Sequence, residues 1–141
     1  MGTFGWIVEH PIAYPLLEVM HIFGIALLIG NLVLFELRAW GFGAGLPVAP
    51  LARLALGLSA AGFMLVAASG LLMFASQPAE LMSNRAFLLK MGLVLAAGSN
   101  AALFHARGGV ARLDAVARAQ TALSMGLWIA VMICGRWIAY L

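Results

Sequence analysis

Charged residues are scarce in this sequence: Asp, Glu, Lys and Arg make up 9% of 141 residues, against 65% hydrophobic ones. Soluble domains carry about 25% charged and roughly 45 to 50% apolar residues. A water-soluble globule is therefore excluded, and the mean hydropathy of +1.06 agrees. A single cysteine, Cys134, leaves no intrachain disulfide and no cysteine-rich zinc module. No Gly-rich phosphate loop precedes a lysine, no Gly-x-Ser-x-Gly elbow is present, and no serine has a histidine base at helical spacing. Nucleotide and hydrolytic chemistry lose their usual carriers, and an enzymatic role is not expected. The net charge is +3. In so apolar a chain that excess reports membrane topology, and nucleic acid is not an expected partner.

Long apolar runs fill the space that charge leaves. Four stretches, 16–37, 52–75, 87–106 and 119–140, reach the ~20 residues needed to cross ~30 Å of hydrocarbon. In lipid such stretches must be helices. The expected fold is all-α: an integral membrane four-helix bundle forming one domain over residues 1–141. No lysine or arginine precedes the first stretch, which is also too long for a signal peptide, so it is expected to be retained. Arg38, Arg53, Arg107, Arg112 and Arg118 flank the first and third connections. Those connections are expected in the cytoplasm of a bacterial inner membrane, with the second connection and both termini in the periplasm. Trp6, Tyr14, Phe87, Trp137 and Tyr140 would form the outer aromatic belt, and Trp40 and Phe42 the inner one. Membrane lipid is an expected partner, and a homo-oligomer stays open.

Ionisable groups at membrane depth are costly and commonly face the bundle interior. Glu18 and His21 stand three apart on the first helix. His21, Gly24, Leu28, Asn31 and Phe35 follow an inward seam, as do Lys90, Leu93, Ala97, Asn100, Phe104 and Arg107 on the third helix. Met125, Ile129, Met132 and Arg136 are expected to do so on the fourth. The second helix, rich in Gly57, Ala61, Gly62 and Gly70 and offering Ser59 and Ser69, reads as a packing helix. Glu18, His21, Lys90 and Arg136 all fall in the outer half. Two readings stay open: buried salt bridges of Glu18 with Lys90 or Arg136, or a site open to the periplasm with Asn31 and Asn100 in supporting positions.

Soft donors share that half: Met20, Met73, Met91, Met132 and Cys134. Thioether, thiol and imidazole together suit copper, above all Cu(I), whereas each methionine taken singly also suits plain packing. Haem b is the alternative cofactor, because a four-helix bundle holds axial ligands projecting inward. His21 and His105 are ~20 Å apart along the membrane normal at 1.5 Å per residue, so they cannot share one iron within a chain. His10 folding back, or Met91 or Met132, could supply the second ligand to His21. His105 with Arg107 reads as an interfacial pair. A proton path through Glu18, His21 and Asn31 meets no further acid until Glu36.

The segments HIFGIALLIGNLVLF from His21, LARLALGLSAAGFMLVAASGLL from Leu51 and NRAFLLKMGLVLAAG from Asn84 resemble the four-helix core of the CopD-type copper-resistance membrane domain. His21, the Ser69–Gly70 pair and Lys90 occupy the positions of that family's first-helix histidine, second-helix Ser-Gly element and third-helix lysine. The resemblance covers residues 16–140. The EVMH element and the terminal GRWIAYL also resemble a group of small bacterial membrane proteins of unknown function. The resemblance implies a copper-handling protein with a periplasmic copper or redox partner. The additional helices and fused periplasmic copper domain of longer CopD proteins are not in this chain. A b-type cytochrome exchanging electrons with quinone and a cofactor-free assembly subunit are the alternatives.

Overall fold

With no water to satisfy them, the backbone groups of a long apolar segment close on one another, one turn along the same chain. The computed structural model, which describes residues 3–141, has that form. Its elements are α1 (Trp6–Glu9), α2 (Ala13–Ala39), α3 (Val48–Ser76), α4 (Pro78–Met82), α5 (Arg85–Ala106), α6 (Gly109–Arg112) and α7 (Ala115–Trp137), followed by a 3₁₀ turn (Ile138–Tyr140). No strand occurs among the described residues. The chain has four helices long and apolar enough to cross a membrane, α2, α3, α5 and α7 with its terminal turn, the pattern of a multi-pass membrane protein.

Each long helix starts slightly earlier than the apolar stretch that announced it, because its first turn is built from capping residues that hydropathy does not register. Asn84 accepts from the Phe87 amide at 3.2 Å and Asp114 from the Ala117 amide at 2.9 Å. His10 Nδ1 accepts from the amides of Ile12 and Ala13, each at 3.2 Å. These bonds satisfy amides that have no partner within their own helix. Pro15 and Pro50 sit within first turns, where their missing N–H costs nothing.

α2 packs along α3 and α5 along α7, and the two hairpins join through α2 and α7. At the end bearing the first and third connections all four long helices close on a cluster of Phe35, Ala52, Ala55, Phe104 and Ala117, with the Phe35 and Phe104 rings edge to face at 6.0 Å. At the opposite end Gln77 donates to the Tyr14 hydroxyl at 2.8 Å, and Asn84 Nδ2 to the Ile138 carbonyl at 2.8 Å. Those bonds hold the second connection beside both terminal segments.

Between α2 and α3 the backbones touch. A Cβ on Gly62 would lie 2.7 Å from the Gly24 carbonyl oxygen, and one on Gly24 2.9 Å from the Gly62 carbonyl oxygen. Ser59 donates to the Leu28 carbonyl across the same seam at 3.0 Å. Small residues drive such contacts in lipid, where apolar burial gives little advantage between helices.

Asp114 gives the fold a pH dependence outside the membrane. The Ala117 amide first, and the Arg107 guanidinium after it, hold its carboxyl below the usual carboxylate range. A carboxyl lowered on folding stabilises fully above its unfolded pKa, and that contribution is lost as pH falls through the folded value. The start of α7 is therefore expected to loosen only below about pH 4. Amide exchange at Ala117 and Arg118 checks this: Asp114→Ala should exchange fast at every pH, and wild type only in acid. Equal protection in the two would mean that the cap contributes nothing.

Candidate functional site

α2 carries His21 about two turns into the helix, on the face that meets α3. Its Nδ1 lies 3.0 Å from Ser69 Oγ. Ser69 is fully buried, at 0% exposure. Its hydroxyl proton is directed at carbonyls of its own helix, Leu65 at 2.8 Å and Val66 at 3.2 Å. The hydroxyl has one proton, so toward the imidazole it acts as acceptor and His21 Nδ1 carries the hydrogen. The tautomer is thereby set, and the lone pair resides on Nε2, which has no hydrogen-bond partner among the described residues. Gly70 completes the seat, since a Cβ there would come within 3.3 Å of His21 Cε1. The helix read as mere packing supplies the residue that orients the histidine.

Lys90 on α5 and Cys134 on α7 belong to the same half. The Lys90 side chain runs over Gly135, where an added Cβ would lie 3.7 Å from Nζ. Lys90 is within electrostatic reach of both His21 and Cys134. Cys134 is a buried free thiol. His21 and Ser69 are thus in direct contact, and Lys90 is the residue whose charge reaches both His21 and Cys134.

Other expected members fall elsewhere. Glu18 is exposed and pairs with neither Lys90 nor Arg136, because Arg107–Asp114 at 3.1 Å is the only ion pair among the described residues. Arg136 instead donates to the Tyr140 hydroxyl at 2.8 Å and lies over its ring. His10 does not fold back to His21, because its Nδ1 is occupied in capping α2. Met91 and Met132 are 42% and 38% exposed, on the outside of the bundle. Asn31 donates to the Leu27 carbonyl of its own helix at 2.8 Å, not across the bundle. Asn100 does bridge helices, donating to the Gln120 carbonyl at 2.8 Å, but toward the opposite end from His21. His105 stacks edge-on against Phe104 and has no bond to Arg107, whose guanidinium is taken by Asp114.

The inward stripe of α7 also differs from expectation. Ala117, Thr121, Val131 and Cys134 are buried, whereas Ile129, Met132 and Arg136 are exposed. Lipid accepts large apolar side chains, so the small and polar residues mark the interior.

A second polar group lies at the far end of the bundle, at Glu36, which the sequence marks only as the next acid beyond Asn31. Glu36, 2% exposed, has an Oε2 with no hydrogen-bond partner. Around it a cavity of about 40 Å³ is lined by Asn100, Gln120, Thr121 and Ser124, with His105 at its edge. The signal available was its position: an acid within the last turn of a span, beside a residue of the inward seam, Phe35.

Among the described residues no three His, Cys, Asp or Glu side chains stand close enough together to hold a metal ion. Comparison with protein-family models, with curated proteins and with solved structures finds no match.

Proposed function

We propose that the chain is a small bacterial inner-membrane protein that handles copper at an intramembrane site built on His21. The observation that carries this reading is the fixed imidazole: Ser69 accepts the Nδ1 proton at 3.0 Å and leaves Nε2 free as a donor. Protein ligands to metals are commonly oriented in this way by the bond that their other ring nitrogen makes. Cys134 on the adjoining helix is the second donor, and an imidazole with a thiolate suits Cu(I). Met91 and Met132 are withdrawn from the set by their outward position. Bound copper would supply thiolate-and-imidazole metal exchange or one-electron chemistry. The residues themselves hold the donors, exclude water and place the Lys90 cation beside them. The resemblance of His21, Ser69–Gly70 and Lys90 to the CopD-type pattern supports the same reading, with a periplasmic copper or redox protein as partner.

Haem b with quinone as redox partner is the second reading, favoured by the same free Nε2, with the other axial ligand coming from a second copy of the chain. Copper and haem per polypeptide, measured on protein purified from copper- and haem-replete cells, decide between them. Copper without a Soret band supports the proposal, a Soret band that shifts on reduction replaces it, and neither leaves a cofactor-free assembly subunit.

The site faces the periplasm if the arginine-rich end is cytoplasmic. Arg38, Arg53, Arg107, Arg112 and Arg118 all lie at the end of the first and third connections, whereas the other end has Arg85, Lys90 and Arg136 against Glu9, Glu18 and Glu80. A reporter fused after Leu141 should therefore be active only in its exported form. Activity of a cytoplasm-only reporter would reverse the orientation and turn the His21 half inward.

A further inference from the structure

Glu36 combines three features that a residue kept only for packing does not need. It is an acid at 2% exposure, its Oε2 lacks a partner, and it borders a cavity of about 40 Å³, room enough for water. No cation compensates it. Arg107 is paired with Asp114, Arg38 Nε donates to the Leu46 carbonyl, and Arg53 and Arg118 are exposed. Of the elements packed against it, α7 contributes Gln120, Thr121 and Ser124, none of them titratable, and α5 contributes Asn100 and one titratable group, His105. Asn100 Nδ2 is occupied by the Gln120 carbonyl, and Thr121 Oγ1 accepts from Trp40 Nε1 while donating to the Arg118 carbonyl. Thr121 has no hydrogen left for the orphan oxygen, whereas Asn100 Nδ2 keeps one of its two and the Ser124 hydroxyl stands beside the carboxyl as a partner for its other oxygen.

An uncompensated carboxylate in such a place is strongly disfavoured, whereas a neutral carboxyl is tolerated. His105 also lines an open groove of 540 Å³ on the arginine-rich end, together with Val48, Ala49 and Gly108. One imidazole therefore lines both the small cavity beside Glu36 and the open groove.

We propose that Glu36 is a proton-binding site, loaded and emptied from the arginine-rich end through the small cavity that His105 borders. In loading, a hydronium ion gives its proton to Oε2, leaving a neutral carboxyl and a water. In unloading, the proton passes to a cavity water or to the His105 imidazole and on to the groove. This function is separate from the His21 site, which lies roughly 22 Å along α2 at 1.5 Å per residue.

Infrared difference spectroscopy on the full chain in lipid nanodiscs tests the proposal. Wild type at neutral pH should show the C=O stretch of a protonated carboxyl that shifts in D₂O, disappears on raising the pH, and is missing from Glu36→Gln. His105→Ala should keep the band and slow its deuterium exchange at least several-fold. Wild type alone is decisive should Glu36→Gln fail to assemble: absence of the band at neutral pH overturns the proposal. So does a band unchanged in Glu36→Gln. A band abolished by sodium at constant pH also overturns it, by making an alkali cation the occupant. Wild-type exchange in His105→Ala removes the assigned route.

Discussion

Gly62→Leu is expected to separate α2 from α3 and to lose the assembled bundle in detergent. The first side-chain carbon alone would lie 2.7 Å from both the Gly24 carbonyl oxygen and the Leu28 amide nitrogen, and 2.8 Å from Leu27 Cβ. Two of these neighbours are backbone, so no rotamer change relieves the clash and the helices must move apart. Separation also lengthens the Ser59 bond to the Leu28 carbonyl and the His21 bond to Ser69, which cross the same interface. Overpacking costs ~1 to 3 kcal/mol where side chains can yield; with backbone on the other side, ~3 kcal/mol or more is expected. Gly98→Ala is the control, since nothing lies within 4 Å of its added Cβ. Unfolding in a graded series of denaturing detergent measures both. An unchanged midpoint for Gly62→Leu would show that α2 and α3 do not meet at these glycines.

The sequence announced the four spans because hydrocarbon thickness imposes a length that hydropathy detects directly. It also placed the seams of α2 and α5, where Gly24, Leu28, Phe35, Ala97, Asn100 and Phe104 are indeed buried. α7 was misread for a physical reason. Ile129 and Met132 form a tidy apolar stripe, but in lipid an apolar stripe has no reason to turn inward. Ala117, Thr121 and Cys134 do the packing instead. The same inversion explains the methionines. In water Met91 and Met132 would seek the core and so could meet His21, whereas here the bilayer accommodates them. Charges misled in the opposite direction. Glu18 and Arg136 lie near helix ends, where long side chains reach water or an aromatic ring without a buried partner. Glu36, equally near an end, is enclosed because α5 and α7 close over it beside the Phe35–Phe104 contact. Depth along one helix was legible; what the neighbouring helices cover was not.

His21→Ala is expected to remove the bound cofactor entirely while leaving the helices assembled. The imidazole supplies the free Nε2 donor, and its hydrogen bonding is confined to α3, to the Val66 backbone and to Ser69 Oγ, whose proton stays on the α3 carbonyls when the ring is gone. Single hydrogen bonds between membrane helices average about 0.6 kcal/mol, so its loss is too small to unfold a bundle closed by the glycine seam. Ser69→Ala separates orientation from ligation. It keeps the donor atom and releases the ring, and loss of such a supporting partner typically costs 10- to 100-fold in metal affinity. Glu18→Gln and His105→Ala should leave occupancy unchanged, the first because Glu18 is exposed, the second because His105 lies at the far end with the Glu36 cavity. Copper and haem per polypeptide across these four variants, with circular dichroism to confirm the helices, give the readout. Full occupancy in His21→Ala would reduce the histidine to a hydrogen-bonding residue of the α2–α3 seam. Loss in His21→Ala with no change in Ser69→Ala would keep the ligand and discard the assigned tautomer. A graded fall from Ser69→Ala to His21→Ala is the pattern that an oriented imidazole ligand requires.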